Sequence, residues 1–101
     1  MKLTYIIFEV KSDEAGKINK LIKDDLVSRQ SILTRDSSSL NLKGQFLYLK
    51  IEGSDAGLKK AEELAKELEL KKIDKKKAKQ INDKIEEQED SAASGMGMIF
   101  D

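Results

Sequence analysis

The sequence predicts an α+β protein: a two-layer sandwich of order β-α-β-β-α, with a three-stranded antiparallel sheet and a C-terminal helical extension. Three observations lead there. Residues 2–11, KLTYIIFEVK, are apolar on both alternating sets of positions, as in a central strand. Residues 40–55, LNLKGQFLYLKIEGSD, read as a strand, a tight turn and a second strand. Two further segments carry apolar residues at helical spacing. A chain of 101 residues is one domain with a modest core.

In the first strand Ile6, Phe8 and Val10 share one face, and Leu3, Tyr5 and Ile7 the other. Ser12, followed by Asp13 and Glu14, is a helix start, because an acidic first turn suits the helix dipole. Ala15, Ile18, Leu21, Ile22 and Leu26 form the stripe of a helix that ends near 25–27. Ile32 and Leu33 lie in a loop or an early strand, and the alternation of Ser38, Leu40 and Leu42 predicts the second strand. Lys43-Gly44-Gln45 is the turn, with Gly44 able to take a positive φ. The third strand runs to about Glu52, and Asp55 is the expected N-cap of a helix buried through Leu58, Ala61, Leu64, Ala65 and Leu68. At 68–73, LELKKI, the helical register slips; with no Gly or Pro to stop it, the reading is a continuing, bent helix, and the alternative is a short fourth strand. The organisation is an α+β domain at 1–74, a charged helical extension at 75–90 with a thin stripe of Ala78, Ile81 and Ile85, and a flexible tail at 91–101.

The third strand, with Phe46, Leu47, Tyr48, Leu49 and Ile51, is apolar on both faces. Helices on one side leave the other uncovered, and such a patch calls for a second copy or a partner protein unless the C-terminal extension packs on it.

Charged side chains make up 38% of the chain and sum to zero, but unevenly: residues 71–79, KKIDKKKAK, hold six lysines against Asp74, and residues 80–101 hold Lys84 against six acids. Lys71, Lys72, Lys75, Lys76, Lys77 and Lys79 are candidate phosphate contacts for RNA. The competing reading is a solvated helix face paired with Glu67, Glu69 and later acids. No Arg or aromatic residue interleaves to stack bases.

Catalytic chemistry has little to work with. The chain has no His and no Cys, so the usual acid–base and nucleophilic groups are missing and no thiolate metal site exists. Ser37-Ser38-Ser39 reads as a strand edge, and Asp24-Asp25 as a solvated pair at a helix end, poorly placed against the dipole. Gly95-Met96-Gly97 has too little chain after it to open a nucleotide-binding helix. The expectation is a protein without enzymatic activity, cofactor or metal. Met96, Met98, Ile99 and Phe100 form an apolar end that reads as a plain terminus or as a short docking motif. The short N-terminal apolar run fits neither signal peptide nor membrane span, so a cytoplasmic protein without a membrane partner is expected. A composition rich in Lys and Glu fits heat adaptation.

Three stretches carry a family resemblance: FEVKSDEAGKI at 8–18, TRDSSSLNLKG at 34–44 and GQFLYLKIEGSDAGLKKA at 44–61. Over residues 3–70 the chain resembles the small dimerising subunit of the KEOPS/EKC complex, the CTAG/Pcc family, whose complex makes threonylcarbamoyl-adenosine in transfer RNA. Arg35, Asp55 and Lys60 fall at the family's basic and acidic positions, while Asp36 stands where a serine is expected and Lys59 where a leucine is expected. The resemblance implies a non-catalytic accessory subunit that forms a homodimer, docks on a larger catalytic subunit and helps hold tRNA. The implied partner interface is Phe46, Tyr48, Leu58 and Lys60, and Arg35 joins the lysines as an RNA contact. The chain also resembles ACT-like domains of the NIL type, which have order β-α-β-β-α-β and bind small effectors or dimerise side by side. A fourth strand at 68–73 favours that alternative, and one long bent helix there favours the complex subunit. A third reading is an archaeal interaction adaptor whose tail is its functional part.

Overall fold

In the computed structural model, which describes residues 4–100 and the side chains of residues 4–88, the first apolar run forms strand β1, Thr4–Lys11. A 3-10 turn at Ser12–Glu14 leads into helix α1, Ala15–Ile22. The stripe expected to make one helix makes two. The Asp24 carboxylate accepts the Leu26 and Val27 N–H groups at 3.0 and 3.1 Å and starts helix α2, Asp25–Ser28. Asp24-Asp25 therefore sits at a helix N-terminus, where the dipole favours it, and not at a C-terminus.

Strand β2 is Ser31–Asp36, earlier than the Ser38–Leu42 alternation indicates. Residues 37–45 are instead a folded connection. The Ser37 hydroxyl is buried, donates to Gly44 O at 2.6 Å and accepts from Phe46 N at 3.3 Å. The Asp36 carboxylate accepts the Ser39 N–H at 2.8 Å, so the serines serve local turns. Gly44 takes the positive φ, 96°, that the turn needs. Strand β3, Phe46–Gly53, follows, then helix α3, Asp55–Glu67. The cap of α3 is Ser54, whose hydroxyl accepts the Gly57 N–H at 3.3 Å, and not Asp55.

The chain then forms a fourth strand, β4, Lys71–Lys72, where a bent helix was expected, and helix α4, Lys75–Phe100. The stop at the end of α3 is a Schellman motif: Glu69 N–H bonds to Lys66 O at 3.2 Å and Leu70 N–H to Ala65 O at 2.8 Å. Glu69 occupies the left-handed position, φ 59°, that such an ending usually gives to glycine. Leu70 packs on the core and so fixes the reversal.

The sheet is antiparallel and four-stranded, ordered β2-β3-β1-β4, with Phe8 opposite Leu49 on one side and Lys72 on the other. Two β-α-β units, each split by an inserted strand, give the topology called ferredoxin-like. Ile6, Phe8, Val10, Leu49 and Ile51 pack against Ile18, Leu21, Val27, Leu58, Ala61 and Ala65 on one face. Ile7 and Tyr48, with Tyr5, Leu33 and Phe46, pack against Ala78, Ile81 and Ile85 of α4 on the other. The α+β class stands, but both faces are covered, giving three layers in place of two. The tail expected at 91–101, including Met96, Met98, Ile99 and Phe100, lies outside the residues whose side chains are described.

Glu69 carries the steric cost of a left-handed residue, so Glu69→Gly should stabilise the fold by about 1 kcal/mol, several degrees in Tm. Calorimetry of the two proteins checks this; an unchanged or lower Tm contradicts the Schellman assignment.

Candidate functional site

The residues expected to form one partner interface lie on opposite faces of the sheet. Leu58 is buried in the α1–α3 core and Lys60 is half-buried on α3. Tyr48 is 3% exposed beneath α4, with Phe46 half-buried beside it. The aromatic face that required a partner is closed by the chain's own extension.

A polar clip holds α4 there. Glu9 on β1 points to the same face as Tyr48, its cross-strand neighbour. Its Oε2 accepts the Tyr48 hydroxyl at 3.2 Å and the Lys77 ammonium at 2.7 Å, and its side chain is only 11% exposed. Burial pushes the Glu9 carboxyl up, but the hydrogen bond and charge of Lys77 and the Tyr48 hydroxyl outweigh it and hold the group below its ordinary value. Lys77 is raised, by its bond to Glu9 against the cost of burial. Burial and the Glu9 charge raise the Tyr48 phenol. Sequence reading placed Lys77 among the RNA contacts; the one available signal for the clip was that a buried tyrosine hydroxyl needs a partner.

The lysine run divides. Lys72 is paired with Glu62 and Lys77 with Glu9. Lys71, Lys75, Lys76 and Lys79 are exposed and, among the described residues, have no carboxylate within 4.0 Å. The expected pairing with Glu67 and Glu69 does not form. Asp74 caps this end of α4, its Oδ1 accepting the Lys77 N–H at 2.8 Å. Four free cations thus gather at the β4 edge and the start of α4.

Arg35 is not among them. It lies on β2, with β3 and β1 between it and β4. Its Nε donates to Gln88 Oε1 at 3.3 Å and its Nη1 to Thr34 O at 2.9 Å, and Gln88 bonds in turn to Ser39 O. Helix α4 therefore crosses the sheet from the lysine edge, clipped at Glu9, to the β2 edge, clipped at Arg35.

Beside α4 is a cleft of about 520 Å³, lined by Thr4, Tyr5, Lys75, Ala78, Lys79, Asn82 and Asp83. Asn82 is 8% exposed; its Nδ2 donates to Glu86 Oε1 at 3.3 Å, while its Oδ1 has no partner. Among the described residues no group of three or more acidic, His or Cys side chains is placed to hold a metal, and no helix is long and apolar enough to cross a membrane.

The clip predicts how docking of α4 depends on pH. Glu9 has a depressed value in the folded protein, so its contribution is complete above the ordinary glutamate range and is lost as pH falls through the depressed value. Lys77 is raised, so its contribution is complete below the ordinary lysine range and is lost as pH rises through the raised value. Glu9→Gln should reduce the acid-side loss, leaving the part that Glu14 and Asp36 contribute, and cost about 1 kcal/mol at neutral pH, the scale of a partly exposed ion pair. Tyrosine fluorescence during urea unfolding at pH 3 and pH 7 reads both effects. An equal acid loss in the variant contradicts the clip.

Comparison with protein-family models, with curated proteins and with solved structures finds no match in any of the three.

Proposed function

We propose that the chain is a non-catalytic accessory subunit that contacts RNA through its phosphates, in a tRNA-modification assembly of the kind its sequence resembles. The observation that carries this reading is the set of uncompensated lysines at 71, 75, 76 and 79. Two of them, Lys75 and Lys76, stand in the first turn of α4, where the helix dipole disfavours positive charge, and that turn contains no acid beyond the capping Asp74 before it. Lys79 has Asp83 one turn on, yet the charges do not meet within 4.0 Å. Helix stability gives no reason for this arrangement, and binding to a polyanion does. Ammonium groups on flexible stems hold phosphates as point charges and read no sequence.

The fourth strand favours a second reading, an ACT-like regulatory domain that takes a small effector; the cleft beside Tyr5 and Asn82 is its place of binding.

Fluorescence anisotropy with tRNA at a series of salt concentrations separates the two. Replacing Lys71, Lys75, Lys76 and Lys79 by Gln should flatten the log–log salt slope by roughly 0.7 to 0.9 for each phosphate that is no longer neutralised. Lys72→Gln, at a paired position, should leave it nearly unchanged. An unaltered slope in the fourfold variant removes the RNA reading. A small-molecule thermal shift abolished by Tyr5→Ala in its place supports the regulatory one.

A further inference from the structure

Two of the uncompensated lysines, Lys75 and Lys79, are also walls of the cleft beside α4. Its volume, about 520 Å³, is that of a small-ligand site. Lys75, Lys79 and Asp83 follow at successive i, i+4 positions along one side of α4, so they line the cleft in that order. The helix rises about 12 Å from the first to the last. Tyr5 on β1 and Ala78 supply the apolar surface between the ends. Lys50 stands 5.1 Å over the Tyr5 ring and holds it without lining the cleft.

The two ends differ in charge. Lys75 and Lys79 make one end cationic. At the other, burial raises the Tyr5 phenol and the charges of Asp83, Glu86 and Glu52 raise it further, so carboxylates gather there. Asp83 is exposed and, among the described residues, has no Lys or Arg within 4.0 Å. Its neighbour Asn82 holds a buried acceptor, Oδ1, that receives no donor. The amide is oriented by its own Nδ2, which donates to Glu86 Oε1; turned over, it would set oxygen against carboxylate. An unpaired buried acceptor is costly to keep, and a donor that reaches it is stabilising. One end of the cleft therefore calls for an anion and the other for hydrogen-bond donors.

A ligand spanning both ends needs an anionic group, a flat apolar middle and a donor-bearing edge. A free amino acid carries its ammonium and carboxylate on one carbon and reaches one end only. A nucleotide has all three in line. Among the bases, uracil would turn one N–H flanked by two carbonyls to Asp83, and adenine or cytosine one amino group beside an unprotonated ring nitrogen. Guanine turns two neighbouring donors, N1–H and its amino group, the pair that fits the fork of a carboxylate.

We infer that the cleft holds a guanosine phosphate, with its phosphate on Lys75 and Lys79, its base against Tyr5, and its N1–H and amino group on Asp83. A donor at that end also meets Asn82 Oδ1, directly or through one water. As an unstacked nucleotide of a bound RNA, the guanosine rests on the RNA reading and adds a base preference that the lysines cannot; a free nucleotide offers the same chemistry.

Fluorescence anisotropy of the full chain with short oligouridylates, unsubstituted or carrying one central guanosine, adenosine or cytidine, tests this. The guanosine oligomer should bind about tenfold tighter than the others. Because Asp83 is exposed, Asp83→Asn should leave the fold intact. It should abolish the guanosine preference without weakening the unsubstituted oligomer. It should favour xanthosine instead, whose carbonyl at the amino position accepts from the side-chain amide. A merely structural role for Asp83 would not exchange one base for another. Equal binding of all four oligomers, with the lysine-dependent salt slope intact, overturns the inference and leaves the RNA reading standing. A guanosine preference that survives Asp83→Asn also overturns it. If no oligomer binds, the RNA reading falls and calorimetric titration with GMP decides. Binding that Asp83→Asn exchanges for xanthosine monophosphate makes a free nucleotide the ligand; no binding up to millimolar GMP overturns the inference.

Discussion

The structure depends on a sheet whose two central strands are apolar on both faces. Ile6, Phe8 and Val10 alternate along β1 with Tyr5 and Ile7, and Leu47, Leu49 and Ile51 along β3 with Phe46 and Tyr48. Such strands need cover on both sides. Helices α1 to α3 supply one side and α4 the other. The second cover has a narrow apolar stripe of Ala78, Ile81 and Ile85, supplemented by polar clips at Glu9 and Arg35. Burial alone is modest there, so the clips also fix where α4 lies.

Charge follows from the same geometry. Helix α4 must begin at the β4 edge to cross the sheet, and the lysine run falls at that edge. One of its six members, Lys77, is drawn inward to neutralise Glu9, and Lys72 reaches Glu62 on α3. The remaining four face outward together. A run that is uniform in sequence thus contains two residues that hold the fold and four that are free to meet a partner. The β2 edge, at the far side of the sheet, carries one cation, Arg35, beside Asp36.

The strands β1 and β3, the stripes of α1 and α3 and the turn at Gly44 were legible because each rests on local periodicity or backbone freedom. What was misread has particular causes. Glu69 ends α3 in a conformation that glycine usually marks, so the register slip at 68–73 did not tell a helix stop and β4 from a bend. Asp24 splits α1 from α2 by capping, which a continuous apolar stripe conceals. The alternation at Ser38–Leu42 imitates a strand, while the buried Ser37 hydroxyl organises those residues as turns.

The sequence by itself determined that this is an α+β chain with two double-faced strands, that those faces had to be covered, and that its positive charge is concentrated at 71–79. These follow from side-chain period and composition, which are local. Only the tertiary structure decided that the cover is α4, that Tyr48 and Leu58 lie on opposite sides of the sheet, that Lys77 is a structural ion-pair partner while Lys75 and Lys79 are not, and that β2 is left as the open edge. Each of these depends on which segment lies beside which across tens of residues, as Glu9 and Lys77 do, and no local pattern encodes that choice.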